Sequence, residues 1–140
     1  MNRLDTTLDS LSYLIENLYR NRTHYSGLAN DNPALTPIVE PLNIRINEFL
    51  FKLMNEYKRL SKNEYKLEAG VNVHNDSSHN NNLDEFLRTE ENLITLYAEV
   101  IDEDVLWEVI PVLAQHLAFL KNYQEYLLDY SKIAGVSTAV

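Results

Sequence analysis

The chain has 140 residues, of which 45% are hydrophobic and 24% are charged, and these values predict one soluble globular domain with its own core. Its net charge of −9 argues against nucleic-acid binding, because such binding depends on cations that neutralise phosphates. The absence of cysteine excludes disulfides, thiolate metal ligands and cysteine nucleophiles. No signal peptide and no membrane-spanning apolar run is visible, so we expect a cytoplasmic protein that has no membrane partner.

The first half of the chain predicts two long helices. Only 3 glycines and 4 prolines occur in the whole sequence, and so few chain breakers favour helices over a strand-and-turn protein. Apolar residues recur at helical spacing over residues 5–27 and 37–68. We expect Gly27 to end the first helix. We expect Pro37 to open the second, where its missing N–H costs little.

A polar segment, residues 69–82, separates the two halves of the chain. Asn, Ser and His dominate it, and apolar anchors are missing. Its His74 and His79 are interpreted as solvated side chains, since no cage of carboxylates accompanies them. Antiparallel neighbouring helices need only about 2 to 8 connecting residues. The longer segment here therefore favours a crossover that leaves the second and third helices parallel.

The second half predicts two more helices, over residues 83–101 and 105–133. Only the acidic residues 102–104 separate them, so these helices should fold back as an antiparallel hairpin. Pro111 predicts a kink or a shifted start in the last helix. The whole pattern predicts an all-α protein with a single domain over 1–140. That domain is a ferritin-like four-helix bundle, in which a long crossover between helices 2 and 3 joins two antiparallel hairpins.

Two polar residues interrupt the apolar seams of the second hairpin. Glu90 and His116 are each 13 positions from Glu103 at the turn, so they should lie at one level, about 20 Å from it. A carboxylate in an apolar seam is costly unless it is paired or hydrogen-bonded. We therefore interpret Glu90 and His116 as a structural polar pair or network. A packing offset that exposes one of them is a second interpretation.

A metal site between the helices is the functional alternative. Ferritin-like di-metal sites take a Glu from each of two helices and a Glu-x-x-His from each of the other two. The chain contains no Glu-x-x-His. The candidate ligands that remain are Glu16, Glu48, Glu90 and His116. Iron or manganese bound there would occupy an unconventional or degenerate site, whereas the favoured interpretation needs no cofactor.

The four predicted helices carry short motifs in a fixed order: Leu14-Ile15-Glu16 with Tyr25, Phe49 with Leu53 and Arg59-Leu60, Arg88-x-Glu90-Glu91 with Tyr97, and Glu108-Val109 with Leu117 and Gln124-Glu125. In this order and spacing they resemble a family of uncharacterised bacterial ferritin-like bundles, over nearly the whole chain. The resemblance implies a ferritin-like four-helix bundle and brings no established activity. The chain departs from the family at Thr23 and His24, where an acidic position is replaced, and this departure weakens a metal site.

Three functions are consistent with these observations. The first is a non-catalytic soluble helical bundle that binds a partner or serves a stress-associated role. No catalytic residue is predicted, since a Gly-rich phosphate loop and a nucleophile elbow are both missing from the sequence. The second is the metal-binding bundle, as a handler of iron or oxidants. The third is an interaction module that acts as a homodimer, with Tyr19, Tyr126 and Tyr130 as candidates for the contact face.

Overall fold

The computed structural model describes residues 2–67 and 83–133. These residues form four long helices: α1 (Arg3–Asp31), α2 (Thr36–Ser61), α3 (Leu83–Asp102) and α4 (Ile110–Ile133). Single 3-10 turns, Pro33–Leu35 and Trp107–Val109, precede α2 and α4. The described ranges contain no strand, and the predicted all-α class is confirmed. None of the described helices combines the length and the apolar character needed to cross a bilayer.

α1 is longer at both ends than the predicted 5–27. Its N-cap is Asn2, whose side chain accepts a hydrogen bond of 2.8 Å from the backbone N–H of Asp5. Gly27 does not end the helix, which continues for another turn. Leu28 on that turn is buried. Its burial offsets the cost of about 1 kcal/mol that glycine brings to a helix interior.

α2 ends earlier than predicted, at Ser61 and not at residue 68. Lys62 adopts the left-handed conformation, with φ 68°, and its N–H bonds to the last turn of the helix. From there the described chain is not helical, and Tyr65 lies against α1. The predicted crossover, 69–82, lies outside the described residues together with its two histidines.

α4 begins at Ile110 and not at residue 105, after its 3-10 turn. Pro111 consequently lies in the first helical turn, where its missing N–H costs little. The shifted start expected from this proline is confirmed. The connection before α4 is fastened to α1, because the N–H of Leu106 donates to Thr7 Oγ1 at 2.8 Å.

All four helices contribute to one core of buried apolar side chains. Its members include Leu11, Leu14, Ile15 and Leu18 of α1, Leu42, Ile46, Phe49 and Leu53 of α2, Phe86, Leu93 and Tyr97 of α3, and Leu113, Leu120 and Leu127 of α4. Each such side chain contributes about 1.5–3 kcal/mol when it is removed from water. α1 packs against α2 and α3, and α3 packs against α4. The core therefore surrounds the two polar residues that the sequence placed on α3 and α4.

Candidate functional site

Both polar residues that interrupt the predicted seams are buried. Glu90 on α3 is 0% exposed and His116 on α4 is 6% exposed. Burial raises the pKa of Glu90 to about 8, because a charged carboxylate loses its hydration. Burial, followed by the positive charges of Arg45 and Lys52, lowers the pKa of His116 to about 4. Near neutral pH, Glu90 is therefore mostly protonated and His116 is uncharged.

Glu90 is linked to α1 through Tyr25. The Tyr25 hydroxyl donates to Glu90 Oε2 at 3.4 Å, and the tyrosine ring meets Phe86 edge-on, with centroids 4.9 Å apart. Burial, followed by the nearby Glu90, raises the pKa of Tyr25 well above its ordinary value, so the phenol keeps its proton. The second carboxyl oxygen, Oε1, is buried and has no hydrogen-bond partner among the described residues. The link between Tyr25 and Glu90 is thus a long hydrogen bond beside a carboxyl oxygen that has no hydrogen-bond partner among the described residues.

His116 is linked to α3 through Tyr97. The Tyr97 hydroxyl and His116 Nδ1 are 2.9 Å apart. Either tautomer of the neutral imidazole can use this contact, since a phenol both donates and accepts. Phe49 of α2 stacks on the imidazole, with centroids 3.8 Å apart and an interplanar angle of 13°. His116 is therefore held by a hydrogen bond of ordinary length to one helix and by a ring contact with another.

The partners of Glu90 and His116 differ from those suggested by the sequence. Sequence reasoning paired the two residues with each other, whereas the structure gives each of them a tyrosine. Tyr25 and Tyr97 were missed because a tyrosine on an apolar seam is typical of core packing. These two tyrosines could have been identified from their chemistry. A fully buried phenol needs a hydrogen-bond partner, and the apolar seams contain few polar side chains.

The four candidate metal ligands have separate surroundings. Glu16 is buried on α1 and accepts a hydrogen bond from the Tyr65 hydroxyl. Glu48 lies on the surface beside Arg45, at 3.0 Å, because the adjacent Phe49 takes the core-facing position. Within residues 2–67 and 83–133, no three His, Asp or Glu side chains are placed to share a metal ion. The structure thus does not gather the four candidates into one site.

A third tyrosine completes a series of polar links between helices. The Tyr123 hydroxyl of α4 donates to the backbone carbonyl of Ile38 on α2. Burial, followed by Tyr126 and Glu90, raises the pKa of Tyr123 above its ordinary value. The three tyrosines join α1 to α3, α3 to α4, and α4 to α2. Their chemistry is that of neutral hydrogen bonds between helices.

Several large apolar side chains lie on the outer surface. Trp107 is 76% exposed, Phe51 66% and Tyr126 51%. Tyr19, also proposed for a contact face, is half-buried beneath the Arg22 guanidinium, 5.1 Å from its ring centroid. The side chain of Tyr130 lies outside the described part. Exposed aromatic residues of this size are enriched in protein–protein contacts.

No family model matches the chain, and neither a curated protein nor a solved structure matches it. The resemblance to ferritin-like bundles therefore stays a prediction from the short motifs of the four helices. The described residues form uncharged hydrogen bonds between buried side chains in the core and carry large exposed apolar side chains on the outer surface.

Proposed function

We propose that the protein is a non-catalytic helical bundle that binds another protein through its outer surface. The observation that carries this proposal is the exposure of large apolar residues, with Trp107 at 76% and Phe51 at 66%. Such side chains bind when a partner removes them from water. Glu90, in contrast, is 0% exposed and cannot meet a substrate unless the helices separate.

The contacts also support the finer, ferritin-like arrangement of the four helices. Tyr25, late in α1, contacts Phe86 at the start of α3, and Ser10, early in α1, bonds at 3.5 Å to Glu103 after α3. These contacts support α1 and α3 running antiparallel. The short connection 32–35 supports the same relation between α1 and α2. α2 and α3 would then be parallel, as a long crossover requires.

Cross-linking in cells that express the tagged full chain tests the proposal. We expect the wild-type chain to be captured with a protein, either another protein or a second copy of itself. The double variant Trp107→Ser/Phe51→Ser should keep its helical circular dichroism and lose the capture. Thr95→Ala, on an exposed position of α3, is the matched control and should behave as wild type. Equal capture by wild type and the double variant, or no capture at all, would overturn the proposal.

The metal-binding alternative is distinguished with the same purified chain. The chain is loaded with ferrous iron or with manganese, dialysed, and its metal content is measured. We expect no stoichiometric retention, because the described residues place no three ligands together. One bound ion per chain that is lost in Glu90→Ala, while Glu48→Ala retains it, would replace the proposed function with a metal-binding one.

A further inference from the structure

One face of α2 carries six residues at coiled-coil spacing. Successive members are 4, 3, 4, 3 and 4 positions apart: Glu40, Ile44, Asn47, Phe51, Met54 and Lys58. This spacing aligns them along one side of a helix, here named the α2 stripe. The stripe lies opposite the residues that α2 buries in the core, among them Phe49 and Leu53. Four of its six members are exposed, whereas Asn47 and Met54 are half-buried and Met54 also packs against the core.

Two large apolar residues in the middle of the stripe are open to solvent. Ile44 is 56% exposed and Phe51 is 66% exposed, and they lie two helical turns apart. Met54 and Asn47 are half-buried. The two end residues are exposed and carry opposite charges, Glu40 at the start and Lys58 at the end. An apolar centre with a charged end on each side is typical of a helix–helix interface.

Two shallow depressions lie along the stripe. The first lies between α1 and α2, where Ile44 and Asn47 meet Arg22 and Ser26. The second is lined by Phe51, Met54, Lys58 and the folded-back Tyr65. Each depression therefore contains one half of the stripe. In an antiparallel pair of copies, each half of the stripe therefore faces the depression beside the other half.

The stripe has the same spacing in either chain direction. Its centre of symmetry is position 49, midway between its two ends. In an antiparallel pair of copies, the facing residues are Glu40 with Lys58, Ile44 with Met54, and Asn47 with Phe51. A two-fold axis produces each of these contacts twice. The charges at both ends are then complementary, Ile44 meets Met54, and the Asn47–Phe51 contacts lie nearest the two-fold axis.

We propose that two copies of this chain dimerise through the α2 stripe, with their α2 helices antiparallel. This inference rests on the proposed function and names its partner as a second copy. The self-complementary charges favour a second copy over an unrelated protein, because Glu40 and Lys58 are each other's partner only when the stripe meets itself.

The polar residues Asn47 and Lys58 of the stripe can be covered by the second copy. The side-chain oxygen of Asn47 already accepts a hydrogen bond of 2.6 Å from Arg22 of its own chain, so it does not lose a partner. Lys58 bonds to Glu64 at 3.0 Å, but both side chains are exposed and such pairs contribute little. Lys58 is consequently able to exchange Glu64 for Glu40 of the second copy.

The contact extends beyond the stripe itself. The stripe runs from residue 40 to residue 58, which corresponds to about 27 Å of helix. The α1 residues beside the first depression and Tyr65 beside the second widen the contact. Stable interfaces bury about 800 Å² on each partner, so these flanking residues are needed as well as the stripe.

Sedimentation velocity of the purified full chain, over a range of concentrations, tests the dimer. We expect the wild-type chain to dimerise. Glu40→Lys alone, or Lys58→Glu alone, places like charges at both ends and should raise the dimer Kd about tenfold. The double swap Glu40→Lys/Lys58→Glu should restore the wild-type Kd. Failure of the double swap to restore it would overturn the antiparallel pairing.

Substitution at the apolar centre gives the second arm of the test. Phe51→Glu should raise the dimer Kd about a hundredfold, because each of the two central contacts loses its aromatic ring and gains a buried charge. Tyr13→Glu is the matched control, since Tyr13 is exposed but lies on α1 outside the stripe, and it should leave the Kd unchanged. Circular dichroism checks that each variant is folded. A loss caused by Tyr126→Ala, with no loss in Phe51→Glu, would assign the interface to α4 and overturn the proposal.

The outcomes separate this inference from the proposed function. A wild-type chain that stays monomeric at every concentration, yet is captured in cells with a different protein, refutes the dimer and leaves the proposed function standing. A chain that stays monomeric and captures nothing refutes both. A dimer that the charge swap breaks and restores supports both.

Discussion

Glu90 and His116 are both buried, on consecutive helices, but their surroundings differ. His116 has a 2.9 Å contact to Tyr97 and a stacked Phe49 ring at 3.8 Å. Glu90 has a 3.4 Å hydrogen bond from Tyr25, and its other oxygen has no partner among the described residues. Desolvation keeps both groups uncharged, yet only the histidine has a hydrogen bond of ordinary length. Burial alone therefore does not determine whether a polar group stabilises the fold, and the quality of its contacts does.

The largest expected effect on the free energy of unfolding comes from a substitution beside His116. Phe49→Ala removes the stacked ring and should lower the free energy of unfolding by about 3–5 kcal/mol, as measured by urea titration. Water admitted beside His116 should also move its pKa up towards the ordinary value, which an NMR titration of the imidazole would show. An unchanged imidazole titration in a folded variant would show that Phe49 does not desolvate His116.

The next largest effect on the unfolding free energy is expected from substitutions of Glu90. Glu90→Ala should cost about 2–4 kcal/mol of unfolding free energy, because it leaves a cavity and removes an acceptor of the buried Tyr25 hydroxyl. Glu90→Gln keeps the shape and the uncharged state, and should cost about 1 kcal/mol or less. Thermal and urea unfolding of both variants measure the difference. Equal and negligible losses would contradict the burial of Glu90.

The third effect is a decline of stability at mildly alkaline pH. The pKa of Glu90 is 4.5 in the unfolded chain and about 8 in the folded one, so its stabilisation is full below pH 4.5 and is lost as pH rises through 8. His116 has the opposite trend, since its pKa falls from 6.5 to about 4: its contribution is full above pH 6.5 and is lost as pH falls through 4. The two trends oppose each other between pH 4.5 and 6.5.

Their net result is a decline between pH 6.5 and about 8, with a slope of up to about 1.4 kcal/mol per pH unit. Urea unfolding at a series of pH values measures it. Glu90→Gln should remove the decline, because glutamine does not titrate. Parallel curves for wild type and Glu90→Gln would show that Glu90 is not its source.

The smallest effects compare the two tyrosine hydroxyls directly. Tyr97→Phe should cost about 1–1.5 kcal/mol of unfolding free energy, and Tyr25→Phe about 0.5 kcal/mol, because the Tyr25 contact is longer. Tyr25→Phe should also raise the pKa of Glu90 further, since the lost hydrogen bond favours the ionised carboxylate. A larger stability loss in Tyr25→Phe than in Tyr97→Phe would reverse the ranking of the two contacts.

Much of the fold could be predicted because the core repeats at helical spacing along the chain. The residues at which the helices end were harder to predict. α1 continues through Gly27 because Leu28 is buried by other helices, and this tertiary gain is not visible in the local sequence. The end of α2 at Ser61 depends on the left-handed Lys62, a residue type that does not signal such a conformation.

The candidate site was predictable in position but not in partners. Counting residues from the turn gives the height of a side chain and says nothing of its direction around the helix. Glu48 shows this limit, because it lies on the surface while its neighbour Phe49 enters the core. The hydrogen bond between Tyr25 and Glu90 joins positions 65 apart in the chain, and only the packing of α1 on α3 brings them together.

The hydrogen bond between Thr7 and Leu106 has a consequence for the order of folding. It joins residues 99 positions apart, whereas α1 and α2 are neighbours in sequence and can pair as soon as both have been synthesised. Closing the long loop costs entropy that local contacts do not incur, so we expect this bond to form late. Thr7→Val should then speed unfolding and leave the folding rate nearly unchanged, which stopped-flow kinetics would show.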